Sequence, residues 1–597
     1  MACVGATRAY LAKMMASLPG MKVLLLDNAT TSIVSVVQSQ TDMLRHEVLL
    51  VDRLDAQREP MRHMKAMVFV RPTAENIMNL RKELENPMYG EYHIYFSNAV
   101  RQSFLEELAE ADEFEVVRQV HEYFADYIAL NDDVFVFDEP SRYRAGDSDV
   151  TMDVAVKDRC IDGIVALLLS LRIAKPTLRY TAASTTSRRL CETVGARISG
   201  EAAPLFEFRK QSGAEGGVTL LILDRRDDPL TPLLAQWTYQ AMVHELFGIA
   251  NNRVNLPNAK VEQREVVLDS SVSGGDEFFR TNMYANFGDL GENMKALVEE
   301  FGKKTKSAQN IKTIDDMKRV VSAFPEFRAM GGNVEKHVAT VGELSRMVSE
   351  KNLMKISELE QDLACSAEKM SVAYKSLSEV VRDPRARPAE RLRLALLFTL
   401  RYELELSEGD GADTLDALKD LLLNHGNEAH EIGLLRRTRD FAGERRRTAG
   451  LFDGGVKSAA AGGSMSGAKA LGKLSKTLKE GLVGVENVYT RHTPLLLSTL
   501  EALFSRQGLP TTTHPVLSDR RDGSAEAQRC HEVVVFIVGG ATYAEAMLVA
   551  QWNAKHSGQG GGSAFGAGSG GTIKRVVLGS NEMVNSGVFL RDMAAVR

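Results

Sequence analysis

The chain reads as α/β plus α: two doubly wound parallel-sheet domains, the second discontinuous, with a large, mostly helical domain inserted into it. Three observations carry this expectation. Up to about Phe137, short apolar runs alternate with amphipathic segments, the pattern of parallel strands joined by crossover helices. A second set of apolar runs is divided between the middle of the chain and its far end. Between those two parts lies a long stretch whose apolar residues follow helical spacing with exposed charges.

In the first domain, residues 1–137, strands are expected at Val23–Leu26, Val48–Val51, Met67–Val70, His93–Phe96, Val116–Val120 and Val134–Phe137. Helices are expected at Thr31–Leu44, Ala74–Leu84 and Val100–Ala111. After the first strand, Leu26-Asp27 runs into Asn28-Ala29-Thr30-Thr31 without a glycine. A dinucleotide site needs small residues there so that backbone can approach the pyrophosphate; no cofactor is expected.

The second domain takes residues 138–248 and 482–597, with strands at Leu220–Leu223, Val533–Val538 and Ile573–Leu578. Neither part supplies a comfortable sheet alone, so residues 249–481 read as an insertion. Its helices fall at Met294–Phe301, Asp315–Ala323, Val334–Ser349 and Ile356–Lys375, and Pro325 between two of them reads as a turn or helix stop. Gly454–Lys479 and Gly558–Gly571 are low-complexity and read as loops.

Composition narrows the function. The net charge of −6 over 597 residues lacks the basic excess of a nucleic-acid binder. Five scattered cysteines with no CxxC pair favour free thiols in a reducing cytosol. Val533–Ala550 is the most apolar stretch, but Gly539-Gly540 interrupts it. Strand, turn and helix is the better parse, since a membrane span needs about 20 continuous apolar residues.

The densest chemistry is Asp224-Arg225-Arg226-Asp227-Asp228, just past the Leu220–Leu223 strand. Carboxylates at a strand's C-terminal end fit a metal or an acid–base pair. The neighbours favour architecture: Asp228 or Thr231 suits a helix cap, Pro229 or Pro232 a first helical position, and the arginines satisfy the carboxylates. The enzymatic motifs fail on context. Gly467–Lys473 resembles a P-loop, but Leu474 replaces the magnesium-binding hydroxyl. The GxGxxG at Gly566–Gly571 precedes a strand rather than following one, and no His-Glu pair extends to HExxH. No catalytic residue and no metal ligand is expected. Six arginines in Arg436–Arg447 read as a solvated helix end, with an anionic lipid surface or acidic partner as the alternative.

Several blocks resemble the SM (Sec/Munc) family, cytosolic proteins that clasp SNAREs and regulate membrane fusion. They are Leu221–Ile249, Asn282–Lys295, Lys336-His337-Val338, Gly342–Ser345, Ser357–Cys365, Val488–Leu496 and Val538–Ala544; the first three are most similar to the family's endosome/Golgi branch. The resemblance implies an arch-shaped molecule with a discontinuous middle domain. It implies a pocket for a syntaxin N-terminal peptide at Leu105, Val117 and Val120, with Glu122 facing a basic peptide residue. Leu and Val at these spacings are equally what a buried core carries. Some relatives have a large aromatic where this chain has Leu105. Asp27 and Arg58 match positions lining the cavity for the syntaxin helical bundle, and Pro325 lies near the tip of a SNARE-contacting hairpin. The partners implied are a syntaxin-type Qa-SNARE, the assembled SNARE complex and a VAMP-type R-SNARE. The expected state is a cytoplasmic monomer, recruited peripherally to Golgi and endosomal membranes through SNAREs. The alternatives are an SM protein of another branch and a nucleotide-dependent α/β enzyme.

Overall fold

The computed structural model describes residues 2–145, 150–200, 202–207, 217–257, 264–270, 276–309, 314–366, 368–407, 410–448, 450–452, 489, 491–517, 530–556 and 574–596, side chains at 145, 306–309, 314–329 and 410 excepted. Both low-complexity stretches, the P-loop-like match and the GxGxxG lie outside the described residues.

The first sheet grows from helices α1 (Cys3–Ser17), α2 (Asn28–Val37), α3 (Gln40–Arg45), α4 (Ala74–Glu85) and α5 (Gln102–Ala111). They cover strands β1 (Lys22–Leu26), β2 (Val48–Arg53), β3 (Met61–Val70), β4 (Tyr89–Phe96) and β5 (Val117–Glu122). Strand order is β2-β1-β3-β4-β5, all parallel. The β1 segment is buried along its whole length, as a strand covered on both faces must be. The single helix expected at Thr31–Leu44 is two, because Ser39 accepts a hydrogen bond from the Asp42 amide and caps a new start. Helix α1 carried no clear periodic signal, yet its Cys3, Leu11, Met14 and Met15 are buried. They share one core with Leu24 and Phe69 of the first sheet and Leu220 and Val534 of the second; that core joins the two sheets.

The second sheet draws on β6 (Ile128–Asn131), β7 (Val134–Val136), β10 (Thr177–Tyr180), β11 (Gly217–Asp224), β14 (Cys530–Val538) and β15 (Arg575–Ser580). Two antiparallel pairs stand outside it, β8 (Tyr143–Ala145) with β9 (Val150–Met152), and β12 (Arg253–Asn255) with β13 (Glu265–Val267). The order is β10-β11-β14-β15-β7-β6. Neighbours β11 and β14 are parallel from Gly217↔Cys530 to Asp224↔Val538, although residues 225–529 lie between them in sequence. The strand expected at Val134–Phe137 is therefore misassigned to the first domain: it pairs in parallel with β15 and antiparallel with β6. A short apolar strand carries no label for its partner.

Helices α6 (Val154–Ser170) and α7 (Thr185–Ser199) cover the face shared with the first sheet. The helical unit holds α8 (Tyr239–Phe247), α9 (Glu277–Asn282), α10 (Phe287–Gln309), α11 (Ile314–Glu350), α12 (Leu353–Cys365), α13 (Met370–Val381), α14 (Pro388–Arg401), α15 (Asp410–Asn424) and α16 (Ala429–Ala442). The one helix expected at Ile356–Lys375 is α12 and α13, with Ser366 extended at the break. Helices α17 (Leu495–Leu503) and α18 (Tyr543–His556) close the other face of the second sheet, and α19 (Ser586–Ala595) packs on α16. Val533–Ala550 is strand, turn and helix. Gly539 and Gly540 both hold φ +94°, and a Cβ at Gly539 would meet the Tyr143 hydroxyl at 1.9 Å, so only glycine fits this turn.

Candidate functional site

The groove between α5 and β5 gathers four of the residues singled out in the sequence. Spacing alone places Val117 and Val120 on opposite faces of a strand, because side chains alternate. A register shift between Tyr92 and His93 changes that: Val117 pairs with Tyr92, His93 with Gln119, Ile94 with Val120 and Phe96 with Glu122. The bulge at Arg118 returns Val117, Val120 and Glu122 to one face. Tyr92, Ile94 and Phe96 lie in the core that α5 covers through Phe104 and Leu108, and Leu105 and Val117 pack half-buried against it. Val120 stays 42% exposed. Glu122 accepts a 2.8 Å hydrogen bond from the Val100 amide, which fixes its carboxylate at the groove's end. The face is thus a shallow apolar strip, ended by a carboxylate, on an edge strand.

The two cavity residues are engaged internally. Asp27 caps α2 through the Thr30 amide at 2.7 Å and also accepts from the Arg71 amide at 2.7 Å and Asn76 Nδ2 at 2.5 Å. Arg58 is paired with Glu83 at 2.6 Å, both side chains buried, and donates to the Leu54 carbonyl. Each shapes the wall rather than offering a free charge. Beside them the edge strand β2 exposes Leu49, Leu50 and Val51 at 52%, 41% and 40%. No local signal warns of this, since an edge strand and a central one share the same apolar run.

Pro325 does not stop a helix: α11 runs unbroken through it from Ile314 to Glu350. An interior proline lacks the N–H for the i−4 carbonyl, at a cost of about 3 kcal/mol. Helix α10 ends at Gln309 and α11 begins at Ile314, and Pro325 lies about 16 Å along α11 from that start at 1.5 Å per residue. Nearer the base, Val298, Phe301, Val334 and Val338 line an open apolar groove between the two helices. The base is anchored by His337, whose Nε2 lies 2.8 Å from Asp276 Oδ1 and whose Nδ1 lies 2.9 Å from the Tyr239 hydroxyl. Burial lowers the pKa of His337, against the pull of Asp276, and Lys336 sits 2.6 Å from the other Asp276 oxygen.

The Asp224–Asp228 cluster is an internal knot. Arg225 donates to Glu545 at 2.6 Å, to the Gly540 carbonyl and to the Asp228 carbonyl. Asp224 accepts from Ser184 at 2.5 Å and pairs with Arg226, which reaches the Val150 carbonyl. Asp227 accepts from the Thr448 amide and Asp228 from the Leu495 amide, on either side of residues 453–488. Burial, then the Asp224 charge, push Asp227 up to about 7 against its amide hydrogen bond. Asp228 takes the Thr231 amide, but only a short 3-10 turn follows. The α-helix expected at Pro229 or Pro232 starts instead at Tyr239, after Thr238. Much of the arginine run is likewise engaged: Arg437 donates to the Ala594 carbonyl, Arg439 to Ser407, and Arg447 pairs with Glu403. Among the described residues no group of three or more His, Cys, Asp or Glu suits a metal, and no helix is long and apolar enough to cross a membrane.

Two largely parallel sheets sharing one core, the second interrupted by a helical insertion, form the fold of a solved SM protein, and the chain belongs to the Sec1 family, whose model matches residues 22–592. It is similar to the vacuolar protein sorting-associated protein 45 homolog of Arabidopsis thaliana, 39% identical over 99% of this chain and 98% of that protein. Vacuolar protein sorting-associated protein 45 of Homo sapiens is 41% identical over 99% of this chain and 96% of its own length. Among solved structures, the SM protein Vps45 in complex with the Qa SNARE Tlg2 (1–310) matches at TM-score 0.83 and 39% identity, covering 100% of this chain and 98% of that one. Sly1p in complex with an N-terminal peptide of Sed5p shares the fold at TM-score 0.71 and 18% identity, covering 100% of this chain and 98% of that one.

Proposed function

We propose that this chain is an SM-type regulator of SNARE-mediated membrane fusion in endosome/Golgi vesicle trafficking. It binds a syntaxin-type Qa-SNARE and templates SNARE assembly without a catalytic step. The observation that carries this reading is end-to-end similarity to Vps45 proteins, one of them solved with the Qa SNARE Tlg2. The α5–β5 groove takes the N-terminal peptide, with Leu105, Val117 and Val120 as its apolar wall and Glu122 facing a basic residue. The helical bundle docks on the wall that Asp27 and Arg58 shape, where exposed Leu49–Val51 add apolar area. The α10–α11 hairpin presents a surface on which two SNARE helices lie in register, an arrangement that reduces the entropy lost on association; Pro325 acts within α11 as a bending point. In this reading the first sheet is the syntaxin-binding unit, residues 249–481 are the SNARE-templating unit, and the discontinuous second sheet holds them together. Recruitment to Golgi and endosomal membranes follows from binding SNAREs, with no lipid anchor of its own required.

Calorimetric titration with Tlg2 (1–310), the fragment in the solved complex, tests this directly. The chain is expected to bind, and Leu105→Arg to weaken binding at least about tenfold, or ~1.4 kcal/mol. Equal affinity of both proteins removes the peptide pocket. Tighter binding of a syntaxin from another compartment moves the chain to a sister branch.

A further inference from the structure

A cavity lies at the C-terminal ends of β11 and β14, closed by α17 and by the turn at Leu509–His514. Leu223 and Ile537, paired across the two strands, meet Leu496 of α17 and Leu509 of the turn in an apolar wall. Pro510 in that turn is exposed, and Ser498 and His514 are half-buried, so the cavity reaches water on this side. Its volume is about 60 Å³. That is room for a chain of about five non-hydrogen atoms, since a water-sized group occupies about 10–15 Å³.

The carboxylates lining the cavity are unequally satisfied. Asp224 is paired with Arg226 at 3.2 Å, and Glu545 with Arg225 at 2.6 Å. Asp228 accepts from Thr231 Oγ1 at 2.6 Å and from the Leu495 amide at 3.0 Å. Asp227 is only 7% exposed, and its Oδ1 takes the Thr448 amide at 2.8 Å. Among the described residues no cation pairs with Asp227 and no donor reaches its Oδ2. Thr448 Oγ1, in the same wall, is buried and makes no hydrogen bond among the described residues. Burial, then the charge of Arg179, push His514 down to about 4, so it stands neutral and supplies no counter-charge. The cavity therefore joins a buried carboxylate without a cation to an apolar wall. Water suits such a space poorly, because a buried water needs two to four polar partners. A buried charge is costly unless it is paired, and a cation beside a carboxylate favours its ionised form.

We propose that this cavity is a binding site for a small primary alkylammonium ion. The nitrogen donates to Asp227 Oδ2 and Thr448 Oγ1, and the methylene chain lies on Leu223, Leu496, Leu509 and Ile537. A free aliphatic amine and the end of a lysine side chain share this chemistry. The site is separate from the surfaces assigned above to SNAREs. A bound ion ties the end of β11 to Thr448 and α17, and so stabilises the fold.

The test titrates n-butylammonium chloride and its uncharged isostere n-butanol into the full chain, with binding read from ligand proton NMR line widths. The wild type is expected to bind n-butylammonium in the millimolar range, the scale for about five non-hydrogen atoms. It is expected to bind n-butanol about tenfold more weakly, for want of a charge-assisted hydrogen bond. The melting temperature is expected to rise with n-butylammonium concentration. Asp227→Asn is expected to remove the preference for the amine. Ala502 lines the cavity, and Ala502→Leu, which fills it, is expected to weaken both probes at least about tenfold. Melting curves without ligand establish that each variant is folded. Equal affinity of the wild type for the two probes overturns the site. So does n-butylammonium affinity unchanged in either folded variant, or failure of the wild type to bind it at all, which leaves a cavity holding water alone. The capped lysine Nα-acetyl-lysine N-methylamide separates the two sources. Affinity equal to that of n-butylammonium assigns a lysine side chain carried by a partner, and weaker affinity assigns a free amine.

Discussion

The knot at Asp224–Asp228 and the exposed rim of helix α5 are both dense in acidic residues, and they have opposite fates. In the knot every charged side chain is buried and bonded to strand ends, turns or helix starts from five distant parts of the chain. On α5 the glutamates stand in water, with Glu107 and Glu110 on the side of the helix opposite half-buried Leu105. Charge density therefore does not mark a binding site. The knot is the more conspicuous in sequence, and its role is to hold β11, β14, α17 and α18 in place.

Breaking the knot is expected to produce the largest effect. Arg225→Ala leaves Glu545 buried beside no cation, and removing one partner of a buried pair costs about 3–5 kcal/mol. Urea unfolding monitored by fluorescence checks this, and an unchanged midpoint removes the structural reading of the cluster. A graded effect comes from Asp227, pushed up to about 7 by burial. Because its folded pKa lies above the ordinary 3.8, its contribution is fully present below that value and is lost as pH rises through about 7. Asp227→Asn keeps an acceptor for the Thr448 amide and should flatten the loss of melting temperature between about pH 4 and pH 7, the window bounded by the two values. The smallest effect belongs to the rim. Glu107→Gln and Glu110→Gln, exposed and without described partners, are expected to change stability by less than about 0.5 kcal/mol. A larger change in the same urea assay means the rim is structural and the contrast fails.

Most strands and many helices were legible because their causes are local. The apolar runs at Val23, Val48, Val134 and Val533 are strands, and Gly539-Gly540 broke the longest of them as expected. Helix α1 was missed because its burial comes from both sheets meeting on it, not from a stripe of its own. Pro325 was misread because the local rule against interior proline is overridden in a long helix. The candidate pocket residues came from family resemblance, and neither the bulge at Arg118 nor the exposed Phe114 could be read from spacing.

By itself the sequence determined most strand positions, the turn at Gly539-Gly540 and the absence of a glycine after the first strand, because turns and side-chain periodicity act over a few residues. The tertiary structure alone decided which sheet receives Val134–Val136, which acidic residues are buried in the knot and which stay exposed on α5. Those outcomes depend on which distant surface arrives to pair a strand edge or to desolvate a charge. No short stretch of sequence contains its own partner.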